Sequence, residues 1–474
     1  MTNEMKRRVS AAFTIVLLAL AALLGLTVFF GSAAEDEGRE AASFPAFLTQ
    51  EGRIDPAFGA NLSDYISDRL PLRNLFLRGY AGLRRTLFHE DINGSVIFGK
   101  DGYLFFGESA DSFTGAKKLS DRGVFALTDA LTQIDAYCKA NDMRFAFTVA
   151  PNKNTICPQY MPARYVRADA SDLDRLAASL AGTGVAFADT RSVLRSREGL
   201  YYKTDSHWNH EGACLAADVI LRAAGRELPD AVANAGFTAQ PGFSGDVAEL
   251  LPAGARPTED EQKTAVAETW QTKRSIRTLM DPVIETVLPD GAGSAVVYRD
   301  SFGNALFPLL AGTFGEMRYL RAMPVDAVGA KDDGADTLIW EIVERHLYQA
   351  LNAAPIVPAQ PADCPEGDIL PQKAEVRVSS NGAFTVLSGT VPRELLNDTT
   401  RIGVLIGNAD GAWRGYTAFQ LIEAENLTDD PVDNGFTAYI PAQQTPEDLN
   451  IMLSLTENGK TTYLQTVLAR PKGD

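Results

Sequence analysis

Asp205, His207 and His210 fall within the stretch TDSHWNHEGA, Thr204–Ala213, which holds two of the chain's four histidines. A carboxylate beside an imidazole can fix its tautomer and stabilise its protonated form. The pair becomes nucleophilic machinery only with a third group. Ser301, in VVYRDSFGNAL (Val296–Leu306), is the candidate. It sits where a buried strand pattern ends and a helical pattern begins. Such a turn exposes the hydroxyl at the carboxyl edge of a sheet, where α/β ligand sites form. The N–H groups of Phe302 and Gly303 follow at the helix start and are expected to point free, able to stabilise an oxyanion.

Plainer readings stand beside this one. Asp205 and His207 alone could be a structural hydrogen-bonded pair. Ser301 alone could be an N-cap. Asp205, His207 and His210 could hold a metal on one loop, but no fourth ligand is apparent and none is expected. His210 is better placed to cap or line a helix start. Candidate substrate contacts are Asn152 and Lys153, in a loop after a strand at the same sheet edge, together with Trp208 and Arg299. Trp208 could stack on a sugar or pack in the core, and Arg299 could serve an ion pair instead. Asp300 is expected to tie the turn together. Trp413, in GAWRGY, reads as core rather than as a sugar platform.

The elements that must position these groups alternate. Helical patterns are expected over Arg122–Asn141, Ser171–Ala181, Glu211–Ala224 and Phe302–Ala311. Strands are expected over Arg144–Ala150, Gly184–Thr190, Ser294–Asp300, Glu316–Ala322 and Asp336–Ile342, the last leading into a helix to Leu351. This alternation predicts a largely parallel sheet covered on both faces. Gly254–Gln271 reads as an excursion. Phe58–Phe88, broken by Pro71, reads as two short helices. In SVIFGKDGYLFFGE, Ser95–Glu108, two β-rich runs flank an Asp-Gly turn and predict a hairpin.

The flanks differ in kind. Val9–Phe30 is 22 residues without a charge, preceded by Lys6, Arg7 and Arg8. At 1.5 Å per residue it makes roughly 33 Å of helix, enough to cross a bilayer core. The preceding positive charge predicts a cytoplasmic N-terminus (residues 1–8), a single-pass signal anchor (9–30) and an outward-facing remainder. A cleaved signal peptide ending near Ser32-Ala33-Ala34 is the alternative. Residues 31–57 read as a stalk. At the other end, 354–373 holds five prolines and reads as a semi-rigid linker. Beyond it, 374–474 alternates in short strands and predicts a small β-sandwich.

Acidic residues number 61 and basic residues 44, giving 44 − 61 = −17. That balance argues against a nucleic-acid surface. The four cysteines form no CxxC pair, so zinc-ribbon spacing is absent; disulfides and buried free thiols both remain open.

YYKTDSHWN, with its D-x-H-W core, and YRDSFGNALFPLL resemble the two signature motifs of the AlgX/AlgJ (DHHW-type) family of membrane-associated, SGNH-hydrolase-like polysaccharide O-acetyltransferases. VIFGKDGYLFF and VAPNKNTICPQYMP also resemble stretches of that family, and the likeness runs from Phe58 to Ala353. It implies a flavodoxin-like three-layer α/β sandwich over 58–353. It implies Ser301 as nucleophile, His207 as general base and Asp205 as its orienter, with the Asp-His motif ahead of the serine. It also implies a polysaccharide acceptor and a membrane-embedded acyltransferase that donates acetyl. No cofactor is needed, because the acyl group would ride on Ser301 itself. The expected function is an extracytoplasmic O-acetyltransferase. A carbohydrate acetylesterase or a non-catalytic polysaccharide-binding scaffold are the alternatives.

Overall fold

The computed structural model describes residues 14, 42–49, 51–69, 79–80, 82–407, 412–423, 432–446 and 449–468. These form two compact units, divided after Gly94. In the first, α1 (Phe58–Arg69) carries Phe58 and Tyr65, whose rings meet Phe47 and Phe44 edge-on. A π-helical turn, Arg84–Phe88, follows near its end. Pro71, expected between two helices, lies outside the described residues. So, Thr14 apart, does the expected span Val9–Phe30. No helix among the described residues is long and apolar enough to cross a membrane.

The second unit opens with the expected hairpin. β1 (Val96–Phe98) pairs antiparallel with β2 (Leu104–Phe106). Asp101 and Gly102 turn the chain with φ of 53° and 81°, the left-handed region that this Asp-Gly pair tolerates. Then helices and strands alternate. α2 (Asp121–Ala140) starts at Ser120, whose side chain caps the Gly123 N–H. It leads to β3 (Arg144–Ala150). α3 (Asp172–Leu180) starts on a capping box of Ser171 and Asp174 and leads to β4 (Ala186–Ala188). α4 (His210–Ala223) is capped by Asn209. Within the expected excursion, β6 (Glu259–Thr264) forms a two-stranded ribbon with β5 (Phe237–Phe243), which precedes it. β7 (Gln271–Thr272) and β8 (Val283–Val287) rejoin the main sheet. β9 (Ser294–Tyr298), α5 (Gly303–Ala311), β10 (Glu316–Leu320) and β11 (Thr337–Val343) complete it. The helix expected after β11 is 3₁₀, over Glu344–Leu351.

The sheet order is β4-β3-β11-β9-β10-β8-β7. The first five strands are mutually parallel, while toward one edge β8 runs antiparallel to β10 and β7 antiparallel to β8. The inner strands are apolar on both faces because both are covered. Phe145, Phe147, Leu338, Trp340 and Val296 pack with α2 and α3. Ala146, Ile339, Ala295 and Val297 pack with α4 and α5 on the other side. This is the three-layer sandwich expected from the alternation.

The C-terminal part departs from expectation. Among the described residues the strands form one continuous nine-stranded sheet where two facing sheets were expected, in the order β12-β16-β15-β19-β20-β13-β14-β18-β17. These strands run from β12 (Pro361–Ala362) and β13 (Asp368–Ser380) through β14 (Phe384–Thr390), β15 (Arg401–Gly407), β16 (Trp413–Thr417), β17 (Phe419–Glu423), β18 (Val432–Pro441) and β19 (Asn450–Glu457) to β20 (Lys460–Leu468). The proline-rich segment is built into this domain rather than spacing it. Ala354, Val357 and Ala359 are buried, and β12 and the start of β13 lie within 354–373. Phe419 of β17 enters the core beneath α2. Trp413, expected in the core, is 40% exposed. All four cysteines are free thiols.

Candidate active site

Ser301 lies between the end of β9 and the start of α5, at the carboxyl edge of the parallel strands. Its Oγ is 2.9 Å from His207 Nε2, and His207 Nδ1 is 2.6 Å from Asp205 Oδ1. A stretch of 94 residues separates the serine from the histidine, and the fold closes it to one hydrogen bond.

The loop before α4 is held from several sides. The His207 N–H donates to Asp205 Oδ1 at 2.8 Å, so the carboxylate grips ring and backbone together. The Asp246 N–H donates to Asp205 Oδ2 at 2.9 Å. Gly245 makes that approach possible: a Cβ there would lie 2.4 Å from the Asp205 backbone nitrogen. Asp246 in turn accepts from the Ser206 N–H and Oγ, both at 2.6 Å, and its Oδ2 is 3.4 Å from His207 Nδ1. Burial alone would push the Asp205 carboxyl up, but the His207 ring and the two backbone N–H groups hold it well down. Burial opposes the imidazolium of His207, yet the Asp205 bond outweighs it and raises the pKa above the usual 6.5. Burial and the neighbouring Asp205 charge push Asp246 up.

Ser301 is held by Asp300, as expected. Asp300 Oδ1 accepts from the Phe302 N–H at 2.9 Å and Oδ2 from the Val343 N–H at 2.6 Å. The Phe302 N–H, expected free, is therefore occupied. The Ser301 and Gly303 N–H groups have no acceptor among the described residues. Glu341 accepts the Asp300 N–H at 3.0 Å, and burial beside Asp300 pushes its own pKa far up.

The remaining candidates are placed as follows. Lys153 is buried and donates to three backbone carbonyls: Asp205 at 2.6 Å, Lys203 at 3.0 Å and Tyr202 at 3.1 Å. Its ammonium fixes the loop and is not available to substrate. Trp208 is 1% exposed, with Nε1 donating to Phe302 O at 3.2 Å and its ring edge-on to Phe302. It is core, not a sugar platform. Arg299 is 4% exposed and hydrogen-bonds Asn304 Oδ1 and the carbonyls of Asp300 and Leu279; it forms no ion pair among the described residues. Asn152 is buried too. Its N–H reaches Glu344 and its side chain meets Ser112 Oγ at 3.2 Å and Arg345 Nη1 at 3.4 Å. His210 faces Cys214 and Phe237, away from the other two loop residues.

Asp246, Gly245 and Arg345 were not singled out from sequence. Arg345 follows β11 and lies over the Phe302 and Phe106 rings at 5.8 Å and 5.3 Å. Gly245-Asp246 opens a four-residue helix some forty residues from Asp205, and no spacing rule links the two. Asp205, His207 and Asp246 could offer a cation three ligand atoms within 4.8 Å. His207 Nδ1 and Asp205 Oδ1 are in direct hydrogen-bond contact at 2.6 Å.

A doubly covered parallel sheet with serine, histidine and aspartate converging at its carboxyl edge defines an SGNH-hydrolase-like domain. Residues 96–288 match the family described as "SGNH hydrolase-like domain, acetyltransferase AlgX", a match that ends before Ser301. Over these residues the chain is similar to the AlgX/AlgJ family. The "Probable alginate O-acetylase AlgJ" of Pseudomonas putida KT2440 is 25% identical over 195 residues, 38% of this chain. That match spans about half of the relative, 48% of its length. Among solved structures, Bacillus cereus PatB1 is similar with a TM-score of 0.42 at 16% identity, covering 52% of this chain and 95% of that one. The O-acetyltransferase domain of Pseudomonas putida AlgJ gives 0.35 at 18% identity, covering 53% and 92%.

Proposed function

We propose that this chain is an O-acetyltransferase that carries acetyl on Ser301 and delivers it to hydroxyls of an exopolysaccharide or cell-wall glycan. The observation that carries this reading is the unbroken line Ser301 Oγ–His207 Nε2 and His207 Nδ1–Asp205 Oδ1, at 2.9 Å and 2.6 Å. In this mechanism His207 takes the Ser301 proton as Oγ attacks the donor's acetyl carbonyl. The oxyanion forms against the Ser301 and Gly303 N–H groups. His207 then protonates the departing oxygen of the donor. A sugar hydroxyl attacks the acyl carbon next and gives its proton to His207, which passes it to Ser301 Oγ as the acyl–Oγ bond breaks, restoring the free serine. Asp205 stays ionised and stabilises the imidazolium in both halves. A membrane-embedded acyltransferase supplies the acetyl group in this reading, and the segment Val9–Phe30 anchors the chain with its bulk outside the cell.

The test is mass spectrometry of oligosaccharide acceptors beside release of free acetate, using a model acetyl ester as donor. Acceptors should gain 42 Da in proportion to protein (about one acetyl group), and the gain should vanish in Ser301→Ala and His207→Ala. Acetate released at the same rate with and without every acceptor, and no mass gained, would replace transfer by hydrolysis. No product of either kind would favour a binding scaffold. Protease added to intact cells should cut the large domain; full protection would sink the outward topology.

A further inference from the structure

A cavity of about 260 Å³ lies outside the serine centre, with Tyr103 and Tyr160 along one wall and the peptide Gly199–Leu200 on its lining. That is a little under the roughly 300 Å³ of small drug sites and suits one ring-sized group. The wall is stiff. The two tyrosine rings lie parallel, with centroids 3.9 Å apart and planes 6° apart, and Tyr103 is buried behind. The Gly199 end is stiff as well. Asn209, which caps α4, donates its Nδ2 to Gly199 O at 2.6 Å, and its N–H reaches Leu200 O at 3.0 Å.

Two guanidiniums line the same cavity. Arg195 donates one arm to Thr155 O at 3.0 Å, and Arg197 pairs with Glu211 at 3.2 Å. Each is thereby oriented, and among the described residues most of its five N–H donors are left over. Glu198 and the Gln159 amide bring acceptors to the lining. Two carboxylates stand against the two guanidiniums: Glu198 on the lining and Glu211, paired with Arg197. The Cys157 thiol, pushed up to about 11 by burial, stays neutral. A simple anion would find no net attraction here. A neutral ring with apolar C–H faces and a rim of hydroxyls matches aromatic walls edged by planar donors and acceptors.

We propose that this cavity is a sugar subsite, binding one neutral pyranose ring of a glycan at a place distinct from Ser301. The inference rests on the polysaccharide reading of the acceptor. The site retains the polymer while Ser301 acts on another of its units, which raises the effective concentration of acceptor hydroxyls.

The experiment is calorimetric titration of the full chain with cellopentaose and with chitopentaose. One of them should bind the native protein. Tyr160→Ala should weaken it at least tenfold and the exposed-site variant Arg197→Ser at least threefold, with Tyr160→Phe close to native. Hydrolysis of p-nitrophenyl acetate should be unchanged in all three, which reports an intact serine centre. Trp413→Ala, in the β domain, should bind as the native chain does. Should Tyr160→Ala fail to fold, Arg197→Ser carries the test. The proposal is overturned if neither oligosaccharide binds. It is equally overturned if binding survives both Tyr160→Ala and Arg197→Ser, or is lost only in Trp413→Ala. Ester turnover that persists while oligosaccharides do not bind removes the subsite and leaves the Ser301 chemistry standing. Absent ester turnover counts against that chemistry, and the titrations still decide the subsite.

Discussion

Lys153 Nζ donates to the backbone carbonyl of Asp205 at 2.6 Å, so a buried ammonium holds the residue that orients His207. The same ammonium binds the carbonyls of Lys203 and Tyr202 and lies 5.3 Å from the centre of the Phe105 ring. Burial pushes its pKa down to about 8, although Asp205, Asp246 and Glu259 act to raise it. Lys153→Met keeps the volume and removes all three donors, leaving buried carbonyls unpaired. It should cost at least about 2 kcal/mol of stability. The loop should loosen and kcat on a model ester should fall more than tenfold. Thermal unfolding and steady-state kinetics check this; native kcat in Lys153→Met would show that the loop holds itself.

Acid should switch the site off through His207. As a base it must be neutral, and Asp205 raises its pKa above 6.5, so activity should rise with pH through a value above 6.5. Asp205→Asn removes the partner of the imidazolium. The limb should then move to lower pH, and kcat should drop on the order of 10⁴-fold. The stability signs are opposite for the two partners. The raised pKa of His207 contributes stability below pH 6.5 that is lost as pH climbs through its folded value. The lowered pKa of Asp205 contributes stability above pH 3.8 that is lost as pH falls through its folded value. A pH–rate profile of both proteins decides; an unmoved limb would assign it to another group.

Arg122 should be the latch between the α/β layers and the nine-stranded sheet. It is 1% exposed and donates to the carbonyls of Asp433, Asn397 and Thr400 at 2.8–2.9 Å, and to Gln420 Oε1. Arg122→Ala strands those acceptors and should cost at least about 3 kcal/mol. Because α2 makes these contacts, the loss should be felt at the interface first. Hydrogen exchange should rise in β17 and β18 before it rises in β3 or β11. Uniform exchange through both domains would mean that they unfold as one.

The alternation of apolar runs made the central sheet legible. β3 coincides with its expected span because a strand buried on both faces is a continuous apolar run with polar ends. Ser301, His207 and Asp205 were legible because short motifs carry them. Glu259–Thr264 was not legible as a strand, since EDEQKT is polar and pairs only with one ribbon partner. β8 was missed because it is a short antiparallel strand beside the edge strand β7, with alternating burial. Prolines misled in the opposite direction. Pro361 sits on β12, an edge strand where a missing N–H costs little, so a proline-dense run could still join a sheet. Trp208 and Lys153 carry residue types suited to sugar binding, but their partners, Phe302 O and three loop carbonyls, come from distant sequence that periodicity does not reveal. For that reason Trp208→Phe should keep near-native kcat on a model ester and lose about 1 kcal/mol with the indole hydrogen bond.

Gly245 offers the sharpest test of how the carboxylate is held. A Cβ at this position would stand 2.4 Å from the nitrogen and Cβ of Asp205 and 2.5 Å from its Cα. Two of those atoms are backbone, so no rotamer change relieves the clash. The loop must move, and the Asp246 N–H must leave Asp205 Oδ2. Gly245→Ala should therefore free Asp205 from its second anchor while leaving every charged group in place. The His207–Asp205 bond, now held from one side, should lengthen, and kcat on a model ester should fall about a hundredfold (roughly 2.7 kcal/mol at the transition state). The acid limb should shift down with it, because the imidazolium loses part of its stabilisation. Gly254→Ala is the matched control, since a Cβ there meets nothing within 4 Å. It should leave rate and pH profile as they are. If Gly245→Ala retains native kcat and an unshifted limb, the grip of Gly245-Asp246 on Asp205 has no part in catalysis, and His207 is oriented by Asp205 alone.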